Sequence, residues 1–425
     1  MEAWLARAAR THGKRPALTT STGACHTYAD LYTRARRVAG GLRERGVSPG
    51  DHVALALPGE ELIVGLHACL LLGAAALPVD LRLTGAEQES RTAGCVLVLE
   101  RLVEGDPLKP AAAADRDPAT IMFTSGTTAG PKEVALSRDN WLWNALGSSL
   151  ALGLDQHERW LCPLPLAHVG GLSIAIRSAI YGTEVLLHDR FDAEAVLAAL
   201  IDDTARVTLV SLVPTMLARL LDAGLRRPPT LHWALLGGGP IAPALLDRAR
   251  EAEVPVAPSY GMTEACSQIA TAGWPLLGTE LTLGPDGEVL VRGRTVASGA
   301  LASDGWLHTG DRGAFDAEGR LRIEGRIADT IVTGGENVSP AEVEAVLLEH
   351  PGIADAAVLG RPDPEWGEAI VAQVVLRDPA GGLPDGDLRA HCAARLARFK
   401  VPKAFETVDA VPRGATGKLL RRELR

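Results

Sequence analysis

Hydroxyl, glycine and lysine residues cluster in one nine-residue segment of the chain. The segment is Thr124, Ser125, Gly126, Thr127, Thr128, Ala129, Gly130, Pro131 and Lys132. Glycine lets main-chain N–H groups approach an anion, and successive N–H groups form an anion-binding concavity. Hydroxyls can donate to phosphate oxygens, and the lysine adds a positive charge. The segment is not a Walker A loop, since the second glycine of that motif is not at the required distance from Gly126. It predicts a polyphosphate-binding loop, with an ordinary surface turn as the alternative.

The segments around this loop alternate between strand-like and helix-like patterns. Ala119–Phe123 is predicted to be the strand that leads into the loop, and Tyr28–Arg45 has the apolar spacing of a helix. Further strands are predicted over His52–Leu57, Val207–Val213 and Trp233–Gly237. The longest apolar run, Leu62–Val79, is explained better by a buried helix that continues into a strand than by a membrane span. Such alternation predicts parallel sheets covered by helices, with ligands at the carboxyl ends of the strands.

The pattern of predicted secondary structure changes twice further along the chain. From Leu281 to Ile323, short strands separated by Asp-Gly and Glu-Gly turns predict a β-rich subdomain. Ser339–Glu342 then has a capping-box pattern, with proline at the first helical position, in a second unit. We therefore predict an α/β fold with a large N-terminal domain over residues 1–327, built from helix-flanked, mostly parallel sheets with the β-rich subdomain at about 281–323. A small, mobile α+β C-terminal lid domain is predicted over residues 328–425.

Composition excludes several classes of protein. The 425 residues include 47% hydrophobic and 22% charged residues, so wholesale disorder is excluded. A net charge of −9 gives no electrostatic footprint for nucleic acid. Six scattered cysteines without a Cys-x-x-Cys pair argue against zinc and disulfide frameworks and suit a reducing cytoplasm. The N-terminus does not resemble a signal peptide, so we expect a cytoplasmic protein without a membrane span.

Six more segments contain residue types that suit nucleotide chemistry. They are Leu164–Gly171, Leu236–Pro240, Ser259–Glu264, Trp306–Asp311, Gly325–Asp329 and Pro412–Lys418. In their order and spacing, these segments and the phosphate loop resemble the adenylate-forming superfamily of acyl-CoA synthetases, adenylation domains and luciferases. The resemblance covers nearly the whole chain.

The resemblance implies a reaction and its reactants. A carboxylic acid attacks the α-phosphate of ATP, which gives an acyl-adenylate and pyrophosphate, and the thiol of coenzyme A then displaces AMP. Because two anions must approach each other, such a site needs positive charge and hydrogen-bond donors. Mg²⁺ is the implied metal, and the partners are small molecules rather than nucleic acid or membrane. The oligomeric state is left open, a homo-oligomer included.

The resemblance also implies a role for individual residues. The phosphate loop with Lys132 would hold the β- and γ-phosphates, Thr263 would contact the α-phosphate, and Mg²⁺ would be bound by Glu264 and Thr127. Adenine would be enclosed by Tyr260, Gly238 and Gly239, and the ribose would be held by Asp311 and Arg326. Lys418 would bridge the carboxylate and the α-phosphate during adenylation. Each has an ordinary alternative: Asp311 could shape a turn, Glu264 could cap a helix, Tyr260 could be core, and Lys418 could be a solvated lysine.

The acid-binding pocket is suggested by a second group of residues. His168 is implied to act at the acyl pocket as a lining or gating group, although a core histidine is the alternative. Gly237, Ser267, Gln268 and Thr271 are further candidates for this pocket. Around Tyr260–Thr271 the chain most resembles the o-succinylbenzoate–CoA ligases of menaquinone biosynthesis. The alternatives are a CoA ligase for another aryl or medium-chain acid, a stand-alone enzyme that loads a carrier-protein thiol, and a non-catalytic nucleotide-binding relative.

Two features depart from the usual pattern of the superfamily. Many relatives have Asp or Lys at the position of Ala328, as the pivot of the small domain, and alanine cannot make the polar contacts of that hinge. The segment between Asp80 and Pro118 is also short, so part of the usual N-terminal subdomain is expected to be trimmed.

Overall fold

The computed structural model describes residues 2–110, 114–124, 132–379, 382–414 and 419–424. The helices are α1 (Trp4–His12), α2 (Tyr28–Glu44), α3 (Gly59–Leu72), α4 (Gly85–Thr92), α5 (Arg138–Leu152), α6 (Val169–Tyr181), α7 (Ala193–Ile201), α8 (Pro214–Asp222), α9 (Pro243–Glu251), α10 (Pro340–Leu348) and α11 (Asp385–Ala393). The strands up to residue 275 are β1 (Pro16–Thr20), β2 (Cys25–Thr27), β3 (His52–Leu55), β4 (Ala75–Pro78), β5 (Leu97–Leu99), β6 (Pro118–Thr124), β7 (Lys132–Ser137), β8 (Arg159–Cys162), β9 (Glu184–Leu187), β10 (Leu209–Leu212), β11 (Trp233–Leu236), β12 (Val256–Met262), β13 (Ser267–Thr271) and β14 (Trp274–Pro275). The later strands are β15 (Thr279–Leu283), β16 (Glu288–Gly293), β17 (Leu307–Phe315), β18 (Leu321–Arg326), β19 (Ile331–Thr333), β20 (Glu336–Val338), β21 (Ile353–Asp363), β22 (Gly367–Leu376) and β23 (Ala404–Thr407).

A five-stranded sheet in the order β5-β3-β4-β6-β7 contains the strands on both sides of the predicted phosphate loop. Its first four strands are parallel, and β7 pairs antiparallel with β6. The apolar run Leu62–Val79 forms most of α3 and then β4, with His67 buried, which confirms the predicted helix and strand. None of the helices in the described ranges combines the length and apolar composition that crossing a bilayer requires.

The second sheet has nine strands in the order β14-β13-β12-β11-β10-β8-β9-β1-β2. The strands from β12 to β1 are parallel, and antiparallel strands close the two edges. Two predicted strands are shorter than expected, because only Leu209–Leu212 of Val207–Val213 and Trp233–Leu236 of Trp233–Gly237 form the strands. The carboxyl end of β11 leads directly into the glycines near residue 238, and Tyr260 lies close to the carboxyl end of β12. Parallel pairing thus brings two predicted nucleotide-binding segments to one edge.

Residues 279–326 form a four-stranded antiparallel sheet in the order β15-β16-β17-β18. This sheet corresponds to the predicted β-rich region. Burial alternates along β16 and β17, so one face of each strand is buried, with Val289, Val291 and Leu307 in a cluster with Ile269 and Ala270 of β13. The small sheet is therefore packed against the edge of the nine-stranded sheet that bears Tyr260.

The C-terminal part of the chain has its own sheet and core. Strands β20-β19-β22-β21 are antiparallel, β23 is parallel to β22, and α10 and α11 enclose an apolar cluster that includes Val343 and Leu347. Pro340 begins α10 as predicted, but the predicted capping box is wrong. The hydroxyl of Ser339 donates instead to the carbonyl of Glu324 at 2.6 Å, and Glu342 pairs with Lys400. The Ser339 hydroxyl therefore bonds to the preceding sheet and does not cap α10.

Candidate active site

Tyr260, Asp311 and Arg326 lie together, and we call them the nucleotide corner. Asp311 of β17 pairs in register with Arg326 of β18, and the Arg326 Nε lies 2.8 Å from Asp311 Oδ1. The hydroxyl of Tyr260 donates to Asp311 Oδ2 at 2.7 Å. Burial and the negative charge of Asp311 raise the pKa of Tyr260, so its phenol remains a donor at neutral pH. The Asp311 side chain is only 8% exposed, and each carboxylate oxygen can accept more than one hydrogen bond. The corner therefore fits the two hydroxyls of a ribose.

The turn before Asp311 explains why threonine and glycine precede it. The Thr309 hydroxyl donates to the carbonyl of Val289 at 2.7 Å and accepts from the Asp311 N–H at 3.1 Å. Gly310 has a φ of 68°, a left-handed conformation that favours glycine, and its N–H donates to Glu288 at 2.9 Å. These contacts fix the direction of the Asp311 side chain. Sequence reasoning missed Thr309 and Glu288 as positioning residues, although Thr309 lies within the quoted motif.

Gly237 and Gly238 follow β11 beside the strand that bears Tyr260. A Cβ atom on Gly237 would lie 2.9 Å from the carbonyl oxygen of Ser259, so this position has no room for a side chain. Gly238 has a φ of 82°, which also requires glycine. Gly239 comes next, and a Cβ there would have only one neighbouring atom, at 3.9 Å. Gly238 is exposed, and Gly237 and Gly239 are half-buried. The role of Gly238 and Gly239 at adenine, and that of Gly237 in the acid pocket, stay predictions.

The two strands on either side of the predicted phosphate loop are paired up to its base. Thr124 of β6 pairs with Lys132 of β7, and the Thr124 hydroxyl lies 3.5 Å from the carbonyl oxygen of Lys132. The loop residues between them, 125–131, lie outside the described residues, and they include the predicted contacts Ser125, Gly126, Thr127 and Thr128. A 3₁₀ turn, Thr263–Ala265, lies against both strands. The predicted α-phosphate and metal contacts, Thr263 and Glu264, are therefore next to the base of the loop.

A single carboxylate at this place is consistent with a magnesium nucleotide. The part of the chain that the structure describes contains no cluster of three or more His, Cys, Asp or Glu residues able to hold a metal ion. Mg²⁺ is usually held by one or two carboxylates together with substrate phosphates and water. Glu264 is half-buried, and its carbonyl accepts from the Ala297 N–H at 2.8 Å, which fixes the backbone of the turn. One protein carboxylate, that of Glu264, is therefore what a Mg²⁺ ion bound mainly by the phosphates of the nucleotide would need.

His168 stands at the N-terminus of α6 and contacts two residues that sequence reasoning missed. Its Nε2 lies 3.2 Å from Arg82 Nη2 and 3.5 Å from Asp80 Oδ2. Arg82 also donates to Asp80 at 2.7 and 2.6 Å. Burial opposes the charge on Asp80, but the hydrogen bonds from His168 and Arg82 hold the pKa of Asp80 well below its usual range. Asp80 and Arg82 come shortly after β4. Their position at the end of a buried strand is the sequence feature that could have identified them.

Gln268 and Thr271 lie together in β13, but they do not face an open pocket. Gln268 is 2% exposed, and its Nε2 donates to the Thr271 hydroxyl at 2.9 Å. The other side-chain atom, Gln268 Oε1, is buried without a hydrogen-bond partner in the described part of the chain. Ser267 is half-buried with a φ of 89°. Two of the three predicted pocket residues in β13 are therefore buried, and the third is half-buried.

The least expected feature is a fully buried guanidinium on α6. Arg177 donates from Nε and Nη2 to Asn144 Oδ1 over 3.1 and 2.5 Å, and Asn144 donates in turn to the Gln268 carbonyl at 3.2 Å. Its third nitrogen, Nη1, is buried and has no hydrogen-bond partner among the residues described. We call Arg177, Asn144, Gln268 and Thr271 the arginine cluster.

The charge of Arg177 is not neutralised by its neighbours. The groups that could carry negative charge nearby are Tyr181 and Cys266, but burial raises the pKa of Tyr181 to about 12 and that of Cys266 well above its usual value. Burial also lowers the pKa of Arg177 itself. The guanidinium carbon also lies 5.7 Å from the centroid of the Trp160 ring, a cation–π contact. A buried charge without a carboxylate partner costs several kcal/mol, so the cluster is suited to an anionic ligand group. Sequence reasoning missed Arg177, although a single arginine in the apolar helix Val169–Tyr181 was a visible signal.

Lys418 lies outside the described residues, but the chain on both sides of it is anchored. Arg413 donates to both carboxylate oxygens of Asp355, at 2.8 and 2.6 Å, and forms a β-bridge with Leu419. Arg421 donates to Glu344 at 2.8 Å. The tail that contains the predicted mobile lysine is therefore attached to the C-terminal sheet and to α10.

The predicted hinge position, Ala328, lies in a 3₁₀ turn, Ile327–Asp329, directly after β18. The next residue, Asp329, has its Oδ2 3.0 Å from Arg421 Nε. This ion pair joins the turn to the C-terminal tail, while Ala328 itself offers no polar side chain.

Comparison with known proteins finds relatives over nearly the whole chain. Residues 5–99 and 88–301 match the AMP-binding enzyme family, and residues 342–418 match the AMP-binding enzyme C-terminal domain. The 2-succinylbenzoate–CoA ligase of Bacillus licheniformis is 40% identical over 94% of this chain and 94% of its own length. The structure of o-succinylbenzoate CoA synthetase from Bacillus subtilis with its acyl-adenylate intermediate is 36% identical, with a TM-score of 0.92 over 100% of this chain and 98% of that one. The same synthetase with ATP and magnesium gives a TM-score of 0.90 at 36% identity over 99% of each chain.

Proposed function

The chain belongs to the AMP-binding enzyme family, and we propose that it is an ATP-dependent acid–thiol ligase that converts o-succinylbenzoate into its coenzyme A thioester. The carboxylate of the acid attacks the α-phosphate of ATP, an oxygen–phosphorus bond forms, and pyrophosphate leaves. The thiolate of coenzyme A then attacks the acyl carbon, and AMP leaves. We place the reaction in the cytoplasm, as a step of menaquinone biosynthesis. The single observation that carries the nucleotide chemistry is the nucleotide corner, in which Asp311 is held by Tyr260 and Arg326.

The large domain holds the nucleotide during adenylation. Asp311 accepts from the ribose hydroxyls, and Arg326 donates to the same sugar. The ring of Tyr260 and the backbone of Gly238 and Gly239 enclose adenine on its two faces. The Thr124–Lys132 segment wraps the β- and γ-phosphates, and its lysine offsets their charge. These residues orient the α-phosphate towards the bound acid.

The attack needs positive charge between the two anions. Thr263 donates to the α-phosphate, while Glu264 and Thr127 would hold the magnesium ion. Mg²⁺, when bound, offsets the charge that builds up on the phosphates. Lys418 bridges the carboxylate and the α-phosphate in this half-reaction, and the C-terminal domain swings away before the thiol attacks. We assign to His168, which contacts Arg82 and Asp80, the role of shielding the acyl group from water.

The arginine cluster favours an acid with a second anionic group. An aryl acid with one carboxylate would use that group at the α-phosphate and would leave Arg177 unpaired. A dicarboxylate can react through one carboxylate and place the other against Arg177, directly or through water. Gln268 and Thr271 are both buried, and the carbonyl of Gln268 accepts from Asn144, the partner of Arg177. This requirement supports o-succinylbenzoate over a medium-chain or monocarboxylate acid.

The proposal is tested by substrate-dependent AMP and pyrophosphate release. Purified protein is incubated with ATP, Mg²⁺, coenzyme A and a panel of acids that includes o-succinylbenzoate, benzoate and octanoate, and the thioester is identified by mass spectrometry. We expect turnover with o-succinylbenzoate and formation of its coenzyme A thioester. Turnover of another acid alone would refute the substrate, and adenylation without thioester formation would favour a carrier-protein acceptor. ATP–pyrophosphate exchange with none of the acids would refute the enzyme.

The role of Lys418 has its own test in the same assay. Lys418→Ala should reduce acid-dependent ATP–pyrophosphate exchange by about a hundredfold or more. Thioester formation from supplied acyl-adenylate should remain, because that half-reaction uses a different position of the C-terminal domain. Equal loss of both half-reactions would argue against this role.

A further inference from the structure

Asn144 connects three elements around the buried guanidinium. The side chain lies on α5 and is 0% exposed. Its Oδ1 accepts two hydrogen bonds from Arg177 on α6, and its Nδ2 donates to the carbonyl of Gln268 on β13. Both ends of the amide are therefore used. Asn144 fixes the plane of the guanidinium, and with it the direction of Nη1.

The chemistry of the amide group matters as much as its position. An amide oxygen accepts hydrogen bonds without carrying a net charge, so Arg177 keeps its full positive charge while two of its nitrogens are satisfied. Aspartate has nearly the same shape, but its carboxylate would neutralise Arg177 inside the protein. In a medium of low dielectric constant, such a pair would strongly weaken the attraction for any other anion. The type of residue at 144 therefore decides whether the buried charge is available to a ligand.

We propose that Asn144 is a positioning residue that makes the enzyme selective for acids with a second carboxylate. It acts by holding Arg177 in place without neutralising it. The inference rests on the proposed acid–thiol ligase function, and it adds the group that sets selectivity within the pocket. Asn144 itself does not touch the acid in this scheme.

The test compares two asparagine-to-aspartate variants on the same helix. Asn144→Asp places a carboxylate against Arg177. Asn140→Asp is the matched control, since Asn140 is also buried and also donates from Nδ2 to backbone carbonyls, those of Arg294 and Val296, at 2.8 and 3.0 Å. Both variants lose an amide donor, but only one of them faces the guanidinium. Folding is checked by circular dichroism and thermal unfolding.

Two acids with the same skeleton are used as substrates in ATP–pyrophosphate exchange. One is o-succinylbenzoate, and the other is 4-oxo-4-phenylbutanoate, which keeps the aliphatic carboxylate and lacks the one on the ring. We expect Asn144→Asp to lower the kcat/KM ratio of dicarboxylate to monocarboxylate by about tenfold or more, mainly through the KM of the dicarboxylate. Asn140→Asp should leave this ratio within about twofold of wild type.

A folded Asn144→Asp enzyme with an unchanged ratio would overturn the proposal. If that variant does not fold, Asn144→Ala decides the matter. A selective rise of about threefold or more in the KM of the dicarboxylate would support the proposal, and equal changes for both acids would overturn it. If the wild-type protein uses the dicarboxylate and both Asn144 variants still prefer it over the monocarboxylate, the role of Asn144 is refuted and the proposed substrate stands. Wild-type protein inert towards the dicarboxylate would refute the proposed substrate, and the role of Asn144 with it.

Discussion

The nucleotide corner and the arginine cluster both hold a buried charge, but they compensate it in different ways. In the corner, Asp311 has an internal cation and an internal donor, Arg326 and Tyr260. In the cluster, Arg177 has only the neutral Asn144 as its hydrogen-bond partner among the described residues. A compensated charge gives a rigid site that can serve any ATP-dependent member of a family. An uncompensated charge is costly by itself, and the free energy is recovered only when a ligand of the right charge binds. This difference in charge compensation distinguishes the nucleotide corner, a general site, from the arginine cluster, a selective one.

The largest effect is expected from removing the charge of the nucleotide corner. Asp311→Asn keeps the shape of the side chain but replaces the charged carboxylate that is predicted to accept a hydrogen bond from each of the two ribose hydroxyls. Since such bonds contribute roughly 1.5–3 kcal/mol each, kcat/KM for ATP should fall by about a hundredfold or more with every acid. The measurement is ATP–pyrophosphate exchange at varied ATP.

Asp316→Asn is the matched control for this variant. Asp316 lies just beyond the other end of β17 and pairs with Arg320 and Arg322, so its loss removes a carboxylate from the same hairpin without touching the corner. We expect its KM for ATP to stay near that of wild type. An Asp311→Asn enzyme with normal ATP kinetics would show that the corner does not bind the ribose.

The second effect should depend on the acid rather than on ATP. Arg177→Gln removes the charge of the arginine cluster, so kcat/KM for o-succinylbenzoate should fall by about ten- to a hundredfold, while that for 4-oxo-4-phenylbutanoate changes little. Arg138→Gln is the control, because Arg138 is also buried but donates to the carbonyl of Leu70, outside the cluster. Steady-state kinetics with the two acids measure the difference. Equal losses for both acids in Arg177→Gln would identify a purely structural arginine.

The two regions also differ in how much of them the sequence reveals. Thr309, Gly310 and Asp311 are adjacent, and the hairpin register places Arg326 opposite Asp311, so a short motif describes most of the nucleotide corner. The arginine cluster has no such motif. Asn144 and Arg177 lie on different helices within mainly apolar sequence, and their contact depends on how α5 packs against α6. Hydrophobic periodicity predicts that each helix is buried, but not which side chains meet.

The boundaries of strands and helices also depend on contacts that the local sequence does not reveal. The apolar run Val207–Val213 predicts a strand, yet only Leu209–Leu212 forms one, because apolar residues continue to be buried after the pairing ends. Ser339 has the residue type of a helix cap, but the carbonyl of Glu324 in the preceding sheet takes its hydroxyl. In both cases a contact from outside the segment decides the outcome. The roles of the individual site residues remain predictions until the kinetic tests are made.

A smaller effect should come from the tyrosine of the nucleotide corner. Tyr260→Phe keeps the ring that is predicted to face adenine and removes only the hydroxyl that donates to Asp311. One hydrogen bond to a charged partner is lost, so we expect KM for ATP to rise by about three- to tenfold with kcat nearly unchanged. Tyr28→Phe is the control, since its hydroxyl donates to the carbonyls of Ser178 and Thr183 and should affect stability alone. A fall in kcat for Tyr260→Phe without a change in KM would contradict the predicted role.

The smallest effect should appear in stability, at the residues that hold His168. The folded-state pKa of Asp80 is lowered, so its contribution is fully present above the ordinary aspartate pKa of about 4 and is lost as the pH falls below that value. Because Arg82 is partly exposed, we expect Asp80→Asn to lower the free energy of unfolding by only about 1 kcal/mol at pH 7. Urea unfolding at pH 7 and at pH 3 measures this difference, which should shrink at the lower pH. A loss of the same size at both pH values would mean that packing, rather than the charge of Asp80, stabilises this side of the acyl pocket.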